Sequence, residues 1–301
     1  MKTALRNYWK YRYLTLMLVP IVIYYLIFCY YPIYGLLIAF KDFRFKLGIL
    51  GSPWNNFQSF TDLFHLANFW KVFRNTFIIS AYKLVFGFPA PILLAMLLNE
   101  VKNVRFKKII QTVSYMPYFL SWVVLAGIFM QLLSPSTGPV NQLLQWFGIK
   151  PIYFLADSVW FRPTLVITSI WKNIGWGTIV YLAAIAGINQ ELYEAAIIDG
   201  ANRVQRARYI TIPSMVPVIT LMLIFAVGSI IGDDFDQIFN LFNESVYEVA
   251  DVISTYTYRV GLVDMQYSYG TAVGLFTSVI SLVLMMAANF AARRYSDYTI
   301  F

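Results

Sequence analysis

The chain has 301 residues, of which 59% are hydrophobic, and carries a formal net charge of +8. A soluble domain is nearer half apolar, and several apolar runs here exceed the roughly 18 residues typical of a membrane-spanning helix. The composition therefore excludes a single soluble core, and the basic excess indicates cytoplasmic loops rather than nucleic-acid binding. A single cysteine, Cys29, and a single histidine, His65, exclude a disulfide framework, a thiol metal cluster and a histidine-based metal site.

The apolar runs predict an all-α polytopic membrane protein with six transmembrane helices. Residues 1–12 are basic, and the apolar run after them is too long for a signal peptide and lacks a small-residue cleavage site, so it is interpreted as an uncleaved span. The predicted spans, in chain order, cover residues 13–40, 72–98, 109–133, 163–188, 215–232 and 267–292. Residues 13–292 are thus expected to form one transmembrane domain, followed by a short polar tail, residues 293–301.

Lysine and arginine residues are distributed unequally between the predicted loops. They are more numerous in the N-terminus, residues 99–108, residues 189–213 and the tail than in the three remaining loops. The last of these three, residues 233–264, is predicted to be an acidic loop on the outer side. Since basic residues favour the cytoplasmic side, both termini and residues 189–213 are predicted to face the cytoplasm.

A polar, helix-prone stretch, residues 189–213, separates the fourth and fifth predicted spans. Asn189 is a suitable N-cap, Gly200 can end or bend a first helix by adopting positive φ, Asn202 can cap a second helix, and Pro213 is expected to end it. From the residues alone, an amphipathic loop whose arginines face lipid phosphates explains the stretch equally well.

The spacing Glu-Ala-Ala, then Gly200, Ile210 and Pro213, resembles the EAA motif of ABC importer permeases, although Ile212 stands where that family usually has leucine. The resemblance implies a type I importer permease fold and a coupling loop that docks on an ATPase subunit. The implied coupling residues are Glu194, Ala195, Ala196, Asp199, Gly200, Ile210 and Pro213.

The chain has no phosphate-binding loop of the Gly-x-x-x-x-Gly-Lys-Ser/Thr type. ATP and magnesium are therefore expected on partner ATPase subunits, with no cofactor bound by this chain and no catalysis of its own.

A wider resemblance covers essentially the whole chain and includes the run Tyr-Pro-Ile-Tyr-Gly-Leu-Leu-Ile-Ala-Phe-Lys-Asp-Phe at residues 31–43. It is similar to carbohydrate importer permeases of the maltose type, in the oligosaccharide or polysaccharide-lipoprotein branch. The resemblance implies a bacterial inner-membrane location, a second homologous permease in a heterodimer, two ATPase subunits and an extracellular solute-binding protein that delivers sugar.

The fourth predicted span contains a cation, an amide and two indoles in the run Trp-Lys-Asn-Ile-Gly-Trp-Gly. A charge near the centre of a bilayer costs at least roughly 2.5 kcal/mol, so such a group usually faces a cavity or a partner. By resemblance, the substrate cavity would be lined by Lys172, Asn173, Trp176, Ser229, Asp233 and Asp234.

Two interpretations of Lys172 stay open. It is either a structural residue, snorkelling to the interface or paired with Asp233 or Asp234, or it receives a carboxylate of a uronate-containing oligosaccharide from pectin or alginate. Lys83, a second lysine within a predicted span, has the same two interpretations.

Three other classes of protein compete with this interpretation. A secondary transporter or channel would leave the EAA-like stretch unexplained, and a membrane-embedded enzyme would have few chemical groups within the spans. The same permease fold could also carry another solute, such as glycerol-phosphate.

Overall fold

The computed structural model describes residues 11–232 and 235–295, which are mostly helical, and it confirms the all-α prediction. In the described part of the chain, extended pairing is limited to an isolated antiparallel bridge between Lys41 and Trp54. The chain divides into two compact units. One comprises the chain up to Leu66 with Thr257–Phe276, and the other comprises Ala67–Tyr256 with the chain from Thr277 onward.

The first unit begins with a long apolar helix. Its α-helical part runs on through a π-helical stretch, Leu26–Tyr30, and a 3-10 stretch, Tyr31–Phe40. After it the chain folds back around Lys41, whose buried ammonium donates to the carbonyl oxygens of Leu50 and Ser52, each at 3.0 Å. The α-helices that lie wholly in the first unit are α1 (Arg12–Tyr25), α2 (Gly48–Gly51) and α3 (Gln58–His65).

The second unit contains the remaining helices, of which the last two also extend into the first unit. They are α4 (Ala67–Tyr82), α5 (Pro89–Glu100), α6 (Val104–Tyr115), α7 (Trp122–Leu132), α8 (Pro139–Trp146), α9 (Ser158–Ala186), α10 (Gln190–Ile198), α11 (Arg203–Arg206), α12 (Ile212–Gly228), α13 (Phe235–Leu241), α14 (Tyr247–Ala250), α15 (Ile253–Thr257) and α16 (Tyr267–Tyr295).

Four continuous helical segments of the described chain are long and apolar enough to cross a membrane: Arg12–Phe40, Ala67–Glu100, Arg203–Gly228 and Tyr267–Arg293. They match the first, second, fifth and sixth predicted spans. A fifth crossing is obtained if two bent segments, Val104–Phe119 and Trp122–Leu132, count as one. The predicted number of six is therefore not confirmed.

The third predicted span, residues 109–133, is bent rather than a continuous helix. Its two halves meet at an angle of 107°. Leu120 and Ser121 have extended backbone, with ψ of 138° and 152°, and the Ser121 hydroxyl accepts from the Val124 N–H to start α7. Pro117, which cannot donate a backbone hydrogen bond, lies in the last turn before the bend.

The fourth predicted span, residues 163–188, is a single helix of 29 residues, α9, but it is not apolar enough to count as a span by composition. Polar residues form much of its buried side: Thr164, Thr168, Ser169, Lys172 and Thr178 are all buried. Because α9 packs against several neighbouring helices of the second unit, these groups are surrounded by protein rather than lipid.

Apolar packing fixes both ends of α9. Phe161 and Leu165 belong to a cluster that includes Ile238 and Leu241 of α13, and Tyr181 and Ile185 belong to another cluster near α10. The segment after the fifth span, predicted as an acidic outer loop, therefore contributes to the core of the second unit.

Candidate functional site

A cavity of about 400 Å³ opens in the second unit. Its wall is formed by the end of α4 with the π-helical turn Lys83–Gly87, by one side of α9, and by the end of α12. The volume lies in the range of small-molecule binding sites. Polar and charged lining groups come from Ser80, Lys83, Ser169, Asn173 and Ser229.

The predicted cavity residues are distributed over different surfaces. Asn173 and Ser229 line the cavity. Lys172 and Trp176 contact the bent span instead. Asp233 and Asp234 lie outside the described residues. A substrate contact by any of these side chains stays a prediction.

Lys172 is a buried residue that contacts the bend. Its Nζ donates to the carbonyl oxygens of Pro117 at 3.4 Å and of Tyr118 at 3.1 Å, and also to that of Leu120. The ammonium also lies 5.4 Å from the ring centroid of Trp122. Carbonyl groups at a helix end lack intrahelical partners and attract positive charge. Lys172 therefore provides the donors that the broken helix needs, which favours the structural interpretation of this residue.

An aromatic stack lies beside this contact. The rings of Tyr118 and Trp176 are parallel within 4° at a centroid distance of 4.5 Å, and Phe119 meets Trp176 edge-on at 6.1 Å. Trp176 is still 45% exposed. It thus links α9 to the bent span while keeping part of its indole accessible.

Gly175 allows α9 and α6 to approach closely. A Cβ atom at this position would lie 2.1 Å from the Ser114 carbonyl oxygen and 2.8 Å from the Tyr115 nitrogen. Backbone atoms cannot move aside as the end of a flexible side chain does. Gly175 is therefore required by packing, one turn from the Lys172 contact.

Lys83 is held at the cavity wall by a buried amide. Its Nζ donates to Oε1 of Gln237 at 2.6 Å. The sequence left Lys83 with the same two interpretations as Lys172, and it gave Gln237 no role because residues 233–264 were predicted to be an acidic loop. The helical spacing of Phe235, Ile238 and Phe239 was a signal that this segment packs as a helix.

The coupling stretch, residues 189–213, folds locally much as predicted. Asn189 caps α10 by accepting from the Glu191 N–H, Gly200 has φ of +78°, and Asn202 forms a capping box with Gln205. Pro213 does not end the second helix, and this expectation was wrong. The helix continues from α11 into α12 through a π-helical turn, Ala207–Thr211, whose wider backbone accommodates the proline.

The predicted coupling residues divide by exposure. Glu194, Ala195, Asp199, Gly200 and Pro213 are exposed, and Ala196 is half-buried. Ile198, beside them, is 86% exposed.

Ile210 packs inward against a cluster that includes Ala95 and Met215, and a 2.9 Å hydrogen bond joins the Tyr193 and Thr211 hydroxyls. The stretch therefore has an anchored side and an open side around Gly200, with no described heavy atom within 4 Å of a Cβ built there.

These features describe a helical membrane protein with a cavity between its helices and an exposed polar stretch, residues 189–213, before its fifth predicted span. The chain belongs to the family of binding-protein-dependent transport system inner membrane components, whose family model matches residues 87–297. An inner-membrane location and a transport role are thereby confirmed, as is the resemblance to carbohydrate ABC importer permeases.

Two curated relatives from Bacillus subtilis are similar over nearly the whole chain. Protein LplB is 43% identical, covering 96% of this chain and 91% of the relative. The polygalacturonan/rhamnogalacturonan transport system permease protein YteP is 42% identical, covering 96% and 90%.

A solved chain of a bacterial ABC transporter involved in the import of the acidic polysaccharide alginate has a TM-score of 0.89 and 43% identity. That match covers 97% of this chain and 99% of the other. A second structure of an alginate transporter, in complex with a periplasmic protein that holds an alginate pentasaccharide, matches with the same TM-score and 42% identity.

Proposed function

We propose that this chain is a membrane-spanning subunit of an ATP-driven importer that moves acidic oligosaccharides into the cytoplasm. The observation that carries the proposal is the full-length similarity, above 40% identity, to permeases named for polygalacturonan and alginate, two polyuronates. A lysine in the cavity wall is consistent with an anionic solute.

The remaining subunits of the importer would be of three kinds. A second, homologous permease would complete the pathway in a heterodimer, two ATPase subunits would bind ATP and Mg²⁺, and an extracellular binding protein would deliver the sugar. The family's dependence on a binding protein supports the last of these.

The open side of the coupling stretch would dock on an ATPase subunit. Glu194 is exposed at the centre of α10, and the bare backbone at Gly200 leaves room for close approach by a partner. Ile210 and Thr211 hold the opposite side of the stretch to the transmembrane helices. Movement of the ATPase subunits would therefore be transmitted to α9 and α12, which both line the cavity.

Transport would follow from alternating access to this cavity. ATP-driven closure of the ATPases would turn the cavity outward to accept sugar from the binding protein, and reopening would release it inward.

Uptake by the complete complex in proteoliposomes tests the proposal. The complex is reconstituted with its partner permease, ATPases and binding protein, and given tetragalacturonate, an alginate tetrasaccharide or neutral galactotetraose. We expect ATP-dependent uptake of at least one acidic tetrasaccharide in preference to galactotetraose. Uptake of the neutral sugar alone, or of none of the three, would contradict it.

A further inference from the structure

A basic row and an exposed apolar face run side by side along the first turns of α6, in the first half of the bent span. We propose that together they bind an anionic phospholipid. Arg105 and Lys108 hold its phosphate group, and the apolar side chains of Phe106, Ile109 and Val113 contact its acyl chains. These five residues are not among those that line the cavity, so the site is independent of the sugar that the importer carries.

The apolar face of α6 is exposed because its neighbour lies on another side of the helix. Phe106, Ile109 and Val113 are spaced by three and four positions and therefore share one face. Their exposed fractions are 53%, 60% and 64%. The packed side contains Ser114, whose backbone lies against Gly175 of α9. Since α6 belongs to a segment that is apolar enough to cross a membrane, the exposed face is suited to contact acyl chains.

The basic row lies next to this face, where α6 begins. Arg105 and Lys108 are both exposed, and their spacing of three positions places them on the same side of the helix. Residues 99–108 contain four basic residues and one acid. That acid, Glu100, forms an ion pair with Arg203 at 3.6 Å. The segment therefore has a net positive charge, which complements the phosphate of an anionic headgroup.

The side chains, rather than the helix terminus, provide the contacts to the phosphate. The Asn103 side-chain oxygen accepts from the backbone N–H groups of Arg105 at 3.0 Å and of Phe106 at 3.1 Å, so these two donors of the first turn are already used. Lysine and arginine have long apolar stems, and they can reach the headgroup region while the stem stays on the apolar surface.

A phospholipid combines both properties of this surface in one molecule. Free phosphate would use the basic row alone, and in phosphatidylcholine the choline ammonium offsets the charge of the phosphate. Each lysine or arginine near an anionic bilayer surface strengthens association about fivefold. The apolar face adds contacts that any acyl chain can make, so the charge of the headgroup decides which lipid is preferred.

The ion pair between Glu100 and Arg203 also locates the site relative to the coupling stretch. Glu100 is the last residue of α5, three positions before Asn103, and Arg203 is the first residue of α11. The bound headgroup therefore lies on the same side of the membrane as the coupling stretch, which is the side predicted to be cytoplasmic.

Quenching by spin-labelled lipids tests the site in the complete importer complex. Thr112→Cys is introduced together with Cys29→Ser, in a complex whose other subunits carry no reactive cysteine, and the thiol is labelled with bimane. Thr112 is exposed and lies one turn beyond Lys108. The complex is reconstituted in phosphatidylcholine vesicles that contain phosphatidylglycerol or phosphatidylcholine with a nitroxide on the same acyl chain. We expect the association constant of phosphatidylglycerol at this position to be higher by about fivefold or more.

Charge variants determine whether the basic row causes this preference. Arg105→Gln combined with Lys108→Gln should make the two lipids quench equally, whereas Arg105→Lys combined with Lys108→Arg should keep the preference. Lys46→Gln combined with Lys150→Gln is the matched control, because it removes the same charge from exposed positions in other loops, and it should also keep the preference. A preference that persists without the two charges of the row, or that the control also removes, would overturn the proposal.

Two further comparisons separate a lipid site from its alternatives. A bimane label in Val123→Cys, at a 68% exposed position of the uncharged helix α7, should be quenched equally by both lipids. The preference at position 112 should persist when inorganic phosphate replaces chloride at the same ionic strength. The proposal is wrong if neither lipid quenches the label at position 112, if both positions prefer phosphatidylglycerol equally, or if inorganic phosphate abolishes the preference.

Discussion

The Lys172 ammonium donates to the Tyr118 carbonyl oxygen at 3.1 Å, and it thereby joins α9 to the bend in the preceding span. Lys172→Met should lower the stability of the complex by about 1–3 kcal/mol, because buried carbonyl groups are left without a donor. Thermal unfolding of the detergent-solubilised complex measures the change.

Lys71→Met is the control for that substitution. Lys71 forms a 3.0 Å ion pair with Glu248, but both side chains are substantially exposed, and such pairs contribute about 0–1 kcal/mol. If the two methionine variants unfold at the same temperature, Lys172 does not stabilise the bend.

Gly175→Ala should disrupt the contact between α9 and α6. The added methyl group would meet the Ser114 backbone at 2.1 Å, and overpacking of this kind costs about 1–3 kcal/mol or more. Gly127→Ala, on α7, is a matched control because no described heavy atom lies within 4 Å of the position that its new methyl group would occupy. The expression level and the unfolding temperature of each variant complex are compared with those of the unmodified complex. A decrease in both variants, or in neither, would contradict the packing argument.

Gly200→Ala should impair coupling more than it impairs folding. Positive φ at this position costs an alanine about 1–2 kcal/mol, and the methyl group would also fill the open side of the stretch. We expect the variant complex to assemble but to lose sugar-stimulated ATP hydrolysis, and Glu194→Lys should have the same effect.

Gly148→Ala provides the comparison, since Gly148 also has positive φ, +74°, and open space around it, but lies in the loop before α9. It introduces similar backbone strain away from the coupling stretch, so ATP hydrolysis should still respond to sugar. Normal stimulation in Gly200→Ala and Glu194→Lys would end the coupling assignment.

Asn75→Leu should release the segment that contains α14 from the helices beneath it. The fully buried Asn75 amide donates to the Glu248 and Asp251 carbonyl oxygens at 2.9 and 3.1 Å, and accepts from Arg162 at 2.8 Å. Burial also lowers the pKa of Arg162, so loss of this acceptor leaves a poorly solvated cation. Hydrogen exchange of residues 247–256 should increase.

Asn240→Leu is the control for that measurement. In the described contacts, the Asn240 amide donates to the Asp236 carbonyl oxygen of its own helix and does not reach residues 247–256. Exchange of residues 247–256 should stay as in the unmodified protein. A similar increase in both variants would mean that Asn75 does not hold this segment.

Local signals allowed much of the coupling stretch to be predicted. The N-caps at Asn189 and Asn202 and the positive φ at Gly200 each depend on a few neighbouring residues, and all three were confirmed. The helix was wrongly predicted to end at Pro213. A π-helical turn lies just before the proline, and a proline in the sequence does not by itself reveal such a turn.

Long-range contacts explain what the sequence did not predict. The acceptors for Lys172 lie 52 to 55 residues earlier in the chain, so no spacing rule could find them. The bend at Leu120 and Ser121 lies within an apolar run, and hydropathy is insensitive to a change of direction. Gln237 was placed in a loop between spans because its segment is acidic, whereas its apolar neighbours pack in the core.

The bend also sets an order of events during biosynthesis. Neither Val104–Phe119 nor Trp122–Leu132 has the roughly 20 residues that cross a bilayer, so a crossing here requires both halves together. Lys172 emerges from the ribosome only later. The contacts that Lys172 makes with the bend can therefore form only after both halves of the bent segment have left the ribosome.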